Sequence, residues 1–190
     1  MANREALRAL QTRLAARMQQ VKTERQRVSW LAVDCAGQGL LFPLQQAGEI
    51  FDLGQVLPVP HTRQWLAGVV NLRGVLYAVV DFAGFLGLRA AGQAAPRERA
   101  RLVALNAALG VNGALLVDSL EGLRHATDMQ SLASELAPEP GSDGARAKPD
   151  DNAQRPRFAQ GRWRDAAGRV WQEISLADLA GQDQFLAIAG

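Results

Sequence analysis

A chain of 190 residues, 48% hydrophobic and 21% charged, has ordinary globular composition and can hold one sizeable core or two small subdomains sharing an interface. A formal net charge of +2 is too small to mark a polyanion-binding protein, and Cys35, the lone cysteine, excludes an intrachain disulfide and points to a reducing compartment. No apolar run approaches the ~18 residues of a membrane span, and arginines interrupt the N-terminus too often for a signal peptide, so a cytoplasmic protein without direct membrane insertion is expected.

The basic excess sits at the start, where Arg4, Arg8, Arg13, Arg17, Lys22, Arg25 and Arg27 face only Glu5 and Glu24. Leu7, Leu10, Leu14, Met18 and Val21 recur at steps of three and four, with no Pro or Gly among them. This spacing predicts a long α-helix over 2–27 with one narrow apolar stripe, an N-terminal helical extension of residues 1–28. The stripe suits packing on the chain's own domain or docking of a partner. A membrane-surface role is disfavoured because its apolar face carries no Trp or Phe.

From Ser29 the period changes. Trp-Leu-Ala-Val at 30–33 and Leu-Leu-Phe at 40–42 flank Gly37-Gln38-Gly39, a hairpin signal. Residues 45–50 suit a short helical turn, and the prolines of 55–60 require extended backbone. Two apolar runs, 66–70 and 75–80, flank Asn71-Leu72-Arg73-Gly74, a tight-turn tetrapeptide and a second hairpin. Val69, Val70, Val79 and Val80 lie in runs without polar alternation and read as core. Residues 82–88 turn helically and end at Gly87, and 101–107 and 111–117 are two more strands. Residues 138–156 are rich in Pro, Gly, Asp and Ser and are expected to form a flexible insertion. Asp165-Ala166-Ala167-Gly168 marks a third hairpin, and Ser175 caps a short closing helix over 176–180. Eight to ten short strands bounded by Gly or Pro favour an all-β architecture.

The residue patterns of catalysis are missing. His61 and His125 have no second ligand at metal spacing, and no Gly-rich phosphate loop precedes Lys22 or Lys148, so no metal or cofactor is expected. Cys35 ends an apolar strand and reads as a packed thiol. Asp34, Asp81 and Asp118 each close an apolar run and read as turn and surface acids, not as a catalytic set. The strands offer few aromatics on a basic face, so nucleic acid is not an expected partner.

The stretch 65–87 resembles the signature of the CheW-like family. The matching residues are Gly68-Val69-Val70-Asn71-Leu72-Arg73-Gly74, then Val79-Val80-Asp81, then Leu86-Gly87. The flanks at 40–50, 56–60 and 111–120 agree, so the resemblance covers 29–123 well and 158–179 more loosely. It implies a CheW-like domain over 29–190 made of two SH3-like five-stranded β-barrels with short additional helices, without catalytic activity. It implies two partners: the cytoplasmic tip of a methyl-accepting chemoreceptor and the regulatory domain of a CheA-type histidine kinase. By motif match it makes Arg73 and Glu49 candidate receptor contacts, with Gly68, Asn71 and Gly74 shaping the backbone that presents Arg73. The N-terminal extension is similar to the PilI branch of the family, which serves type IV pilus motility. The alternative is a generic β-barrel module that binds some other partner through the helix carrying Leu7, Leu10, Leu14, Met18 and Val21.

Overall fold

The computed structural model describes residues 29–90, 93, 98–132 and 156–190. The helix expected over 2–27, with its stripe, and residues 138–155 of the expected insertion lie outside the described residues.

The first hairpin pairs β1 (Ser29–Cys35) with β2 (Gln38–Pro43) in antiparallel register, Cys35 opposite Gln38. Its two-residue turn puts Ala36 at φ 52° and Gly37 at φ 84°, the left-handed pair that suits the twist of a tight hairpin. β1 is buried on both faces. Leu31, Val33 and Cys35 face one core, and Trp30 and Ala32 face another, which is why the strand reads as an unbroken apolar run.

β3 (Ala47–Asp52), β4 (Leu66–Leu72) and β5 (Val75–Asp81) follow, then a short helix α1 (Phe82–Phe85). The helical turn expected at 45–50 is wrong: β3 is extended and pairs with β6 (Arg101–Leu105), with a bulge between Ala47 and Ile50. α1 is capped by Asp81, whose side chain accepts from the Gly84 N–H, and Gly87 turns the chain away at φ 70°. β7 (Gly113–Val117) completes a five-stranded sheet in the order β3-β6-β7-β5-β4.

The chain then crosses into the other sheet. β8 (Ser119–His125) pairs with β1, and β9 (Met129–Ser131), β10 (Ala159–Asp165) and β11 (Val170–Ile174) complete the order β8-β1-β2-β11-β10-β9. The resemblance implied five strands here; six are present, because β8 and β9 extend the sheet at both ends. The five-stranded sheet is thus an insertion between β2 and β8. Ser175 accepts from the Asp178 N–H to cap α2 (Leu176–Ala180), as expected, and α3 (Asp183–Leu186) follows.

One core lies between the sheets. Leu31, Leu40 and Phe42 from one meet Val80, Val103 and Leu115 from the other, with Phe82, Leu176 and Leu179 packed in from α1 and α2. Burial of each such large side chain stabilises the fold by about 1.5–3 kcal/mol. Val70, Val79 and Val80 are core, as read from the sequence, whereas Val69 is half-buried. A second core, including Val70, Leu72, Leu102 and Leu116, fills the five-stranded sheet's other face. A third gathers Trp30, Leu41 and Trp171 on the outer face of the six-stranded sheet.

Gly68 shows how closely the edge of β4 is covered. It sits at φ 140°, and a Cβ there would lie 2.1 Å from the Leu57 carbonyl oxygen. Leu57 and Val69 exchange backbone hydrogen bonds at 2.8 Å in each direction beside it. Gly68→Ala is therefore expected to cost about 1–3 kcal/mol, measured as a shift in the urea unfolding midpoint, with faster hydrogen exchange at Leu57 and Val69.

Candidate functional site

Arg73 stands at the tip of the β4–β5 hairpin. Leu72 pairs with Val75, so the turn consists of Arg73 and Gly74 alone, at φ 52° and 87°. Asn71 belongs to β4 and shapes the turn through its side chain, whose Oδ1 accepts from the Gly74 N–H at 2.8 Å. A Cβ at Gly74 would meet nothing within 4 Å, so glycine is needed there for its φ and not for space. Arginine at a left-handed φ costs about 1–2 kcal/mol relative to glycine, so local stability does not explain its presence.

Glu49 comes from the opposite edge of the same sheet. Gly48 lets β3 approach β6, since a Cβ there would lie 2.9 Å from the carbonyl oxygens of Ala104 and Leu105. The bulge beside it carries Glu49 outward. The sheet curls far enough for its two edges to meet: Arg73 Nη2 lies 2.6 Å from Glu49 Oε1, with the two side chains 75% and 46% exposed. The Arg73 guanidinium also lies over the Phe51 ring, 5.8 Å from its centroid. Ile50, Val75 and Leu76 neighbour the pair in sequence and are exposed apolar side chains. The structure therefore brings Arg73 and Glu49, drawn from separate motifs, into one pair, with Gly68, Asn71 and Gly74 in the hairpin that carries it. An ion pair this exposed contributes about 0–1 kcal/mol to folding. What it offers is a charged, oriented surface beside apolar side chains, the make-up of a reversible protein-binding patch.

A second cluster was not legible in the sequence. Asp34, Asp81 and Asp118, read as turn and surface acids, do bond turn N–H groups, but they are not free surface acids: all three are also tied into ion pairs at the junction of the two sheets. Arg89, only 7% exposed, donates from Nη1 to Asp81 Oδ1 at 2.8 Å and from Nη2 to both Asp118 oxygens at 2.5 and 2.6 Å. Burial alone would lower the Arg89 pKa, but the hydrogen bonds and charges of Asp118 and Asp81 outweigh it and raise it. Asp118 Oδ2 also accepts from the Ala36 N–H at 2.7 Å, which holds the β1–β2 turn. Asp34 accepts from Arg169 Nη2 at 2.5 Å. One guanidinium thus links the end of β5, the β7–β8 junction and, through Asp118, the first hairpin.

Cys35 packs beside this cluster, fully buried. Burial first, then the charges of Asp118 and Asp34, pushes its thiol far above the ordinary range. Iodoacetamide at pH 8 is expected to leave Cys35 unmodified in the folded protein and to alkylate it only once denaturant exceeds the unfolding midpoint. Rapid labelling of the native state would contradict the packed-thiol assignment. Among the described residues no group of His, Cys, Asp or Glu side chains is arranged to hold a metal ion, and no helix is long and apolar enough to cross a membrane.

The chain and its fold resemble known proteins. The CheW-like domain spans residues 29–183, and the chain belongs to the CheW-like family. Protein PilI of Pseudomonas aeruginosa is 29% identical over 113 residues, which is 60% of this chain and 61% of PilI. Chemotaxis protein CheW of Thermotoga maritima is 33% identical over 58 residues, 30% of this chain and 38% of that protein. The match to these relatives thus spans at most about three-fifths of their length. The crystal structure of the scaffolding protein TtCheW from Thermoanaerobacter tengcongensis superposes with a TM-score of 0.56 at 16% identity, over 78% of this chain and 89% of that one, and shares the fold.

Proposed function

We propose that the chain is a non-catalytic signalling adaptor that couples the cytoplasmic tip of a methyl-accepting chemoreceptor to the regulatory domain of a CheA-type histidine kinase. The likeness to PilI favours a pathway controlling type IV pilus motility. The observation that carries the reading is the Arg73–Glu49 pair. An arginine is kept at a turn position that penalises it, is paired where pairing adds little stability, and is set among exposed apolar side chains. Such a residue suits contact with another protein. Arg73 and Glu49 are assigned to the receptor contact, and Gly68, Asn71 and Gly74 to presenting it.

A pull-down against the regulatory domain of a CheA-type kinase, with the full chain beside a chain lacking residues 1–27, tests the kinase half. Binding by both is the expected result and places that contact within residues 28–190. Binding by the full chain alone moves the contact to the N-terminal stripe and favours the generic module. Binding by neither folded form contradicts the adaptor reading.

A further inference from the structure

A cleft of about 400 Å³ opens on the six-stranded sheet between the β1–β2 turn and the β10–β11 hairpin. Its polar wall is formed by Gln38, Arg162, Arg169 and Gln172, and no acidic side chain lines it. The two arginines differ in how they are held. Arg169 is anchored before any ligand arrives, with Nη2 on Asp34 at 2.5 Å, Nη1 3.9 Å from Glu121 Oε2 and its guanidinium 4.4 Å from the Trp171 ring centroid. Arg162 is exposed, and its side chain makes no hydrogen bond or ion pair among the described residues.

None of the acids nearest in the sheet forms an ion pair with Arg162 among the described residues, and each is oriented toward other donors. Asp34 takes the Gly37 N–H as well as Arg169. Asp165 accepts from Trp171 Nε1 and the Arg169 N–H, each at 2.9 Å. Glu173 accepts from the indoles of Trp30 and Trp163. Gln172 is held in place, its Nε2 donating to the carbonyls of Gln160, Gly161 and Glu173. The result is a guanidinium with no ion-pair partner among the described residues beside an oriented one. The cleft lacks the apolar lining that encloses a small molecule. A guanidinium fork matches a carboxylate in plane and spacing.

We propose that this cleft is a docking site for an acidic segment of a protein partner, taking an Asp or Glu carboxylate between Arg162 and Arg169. It lies on the six-stranded sheet, whereas Arg73 tips a hairpin of the five-stranded one, so it stands apart from the receptor assignment and can fail without it.

The test is an NMR titration of the full chain with a hexaglutamate peptide, run beside hexaglutamine and inorganic phosphate. Saturable shifts at the amides of Gly37 to Gly39 and Arg169 to Gln172 are expected with hexaglutamate and not with hexaglutamine. Arg162→Glu and Arg162→Gln are expected to weaken that binding by about tenfold or more, while Arg73→Glu leaves it unchanged. Arg162 is exposed and unpaired, so neither substitution threatens the fold. Equal affinity in the Arg162 variants, shifts confined to the N-terminal arginines, or no saturation would overturn the proposal. So would phosphate reproducing the same shifts at the same concentration, which would make the cleft a free-anion site.

Discussion

Arg89→Met is expected to lower the unfolding free energy by about 3–5 kcal/mol. Methionine keeps most of the length and apolar volume of the side chain but removes all of its donors. Asp81 and Asp118, whose side chains are 18% and 11% exposed, then face one another's strand ends without a cation between them. The damage should extend to the first hairpin. Asp118 also holds the Ala36 N–H in a turn where Ala36 adopts a left-handed φ that alanine disfavours. Arg89→Lys should recover only part of the loss, because a single ammonium cannot reproduce a planar fork that bonds two carboxylates at once. Urea denaturation of the three proteins checks this. A loss below about 1 kcal/mol in the methionine variant would place Arg89 among ordinary surface pairs.

Arg73→Glu is expected to do the reverse, with little effect on stability and a large one on association. The pair it breaks is solvent-exposed, so the folded protein should lose no more than about 1 kcal/mol. Receptor affinity should fall by about a hundredfold, because a cation offered to the partner becomes an anion beside Glu49. Glu49→Ala should cost less, since Arg73 keeps its charge and its place over Phe51. A double-mutant cycle between the two positions would separate the contribution of the pair from that of each residue. Titration of a chemoreceptor cytoplasmic fragment by isothermal calorimetry provides the numbers. Unchanged affinity in a folded Arg73→Glu protein would remove Arg73 from the receptor contact.

The parts of the fold visible in the sequence were those fixed by local chemistry. Three hairpins announced themselves through their turns, and the structure places all three: Ala36-Gly37, Arg73-Gly74 and the segment closed by Gly168. Ser175 was legible as a cap because an N-cap serine bonds within its own first turn. β3 was not legible. Ala-Gly-Glu-Ile has weak strand preference by itself, and it is held extended by pairing with β6, some fifty residues further on. β8 was missed for a similar reason. It is an edge strand interrupted by Gly122 at φ 88°, and its partner β1 lies at the other end of the described core. At the site, the motifs supplied Arg73 and Glu49 separately, but not their meeting, which depends on the curl of the five-stranded sheet. Arg89 carried no signal, because nothing in the residues around it reveals that Asp81 and Asp118, from the ends of two different strands, converge on it.

The central claim is that the chain joins a receptor to a kinase. Co-sedimentation of a chemoreceptor cytoplasmic fragment, assembled in arrays, with a CheA-type kinase tests it most directly, with the chain omitted, present, or present as Arg73→Glu. Kinase in the pellet only when the wild-type chain is added is the predicted result. Kinase sedimenting equally without the chain, or never sedimenting with it, would contradict the adaptor account.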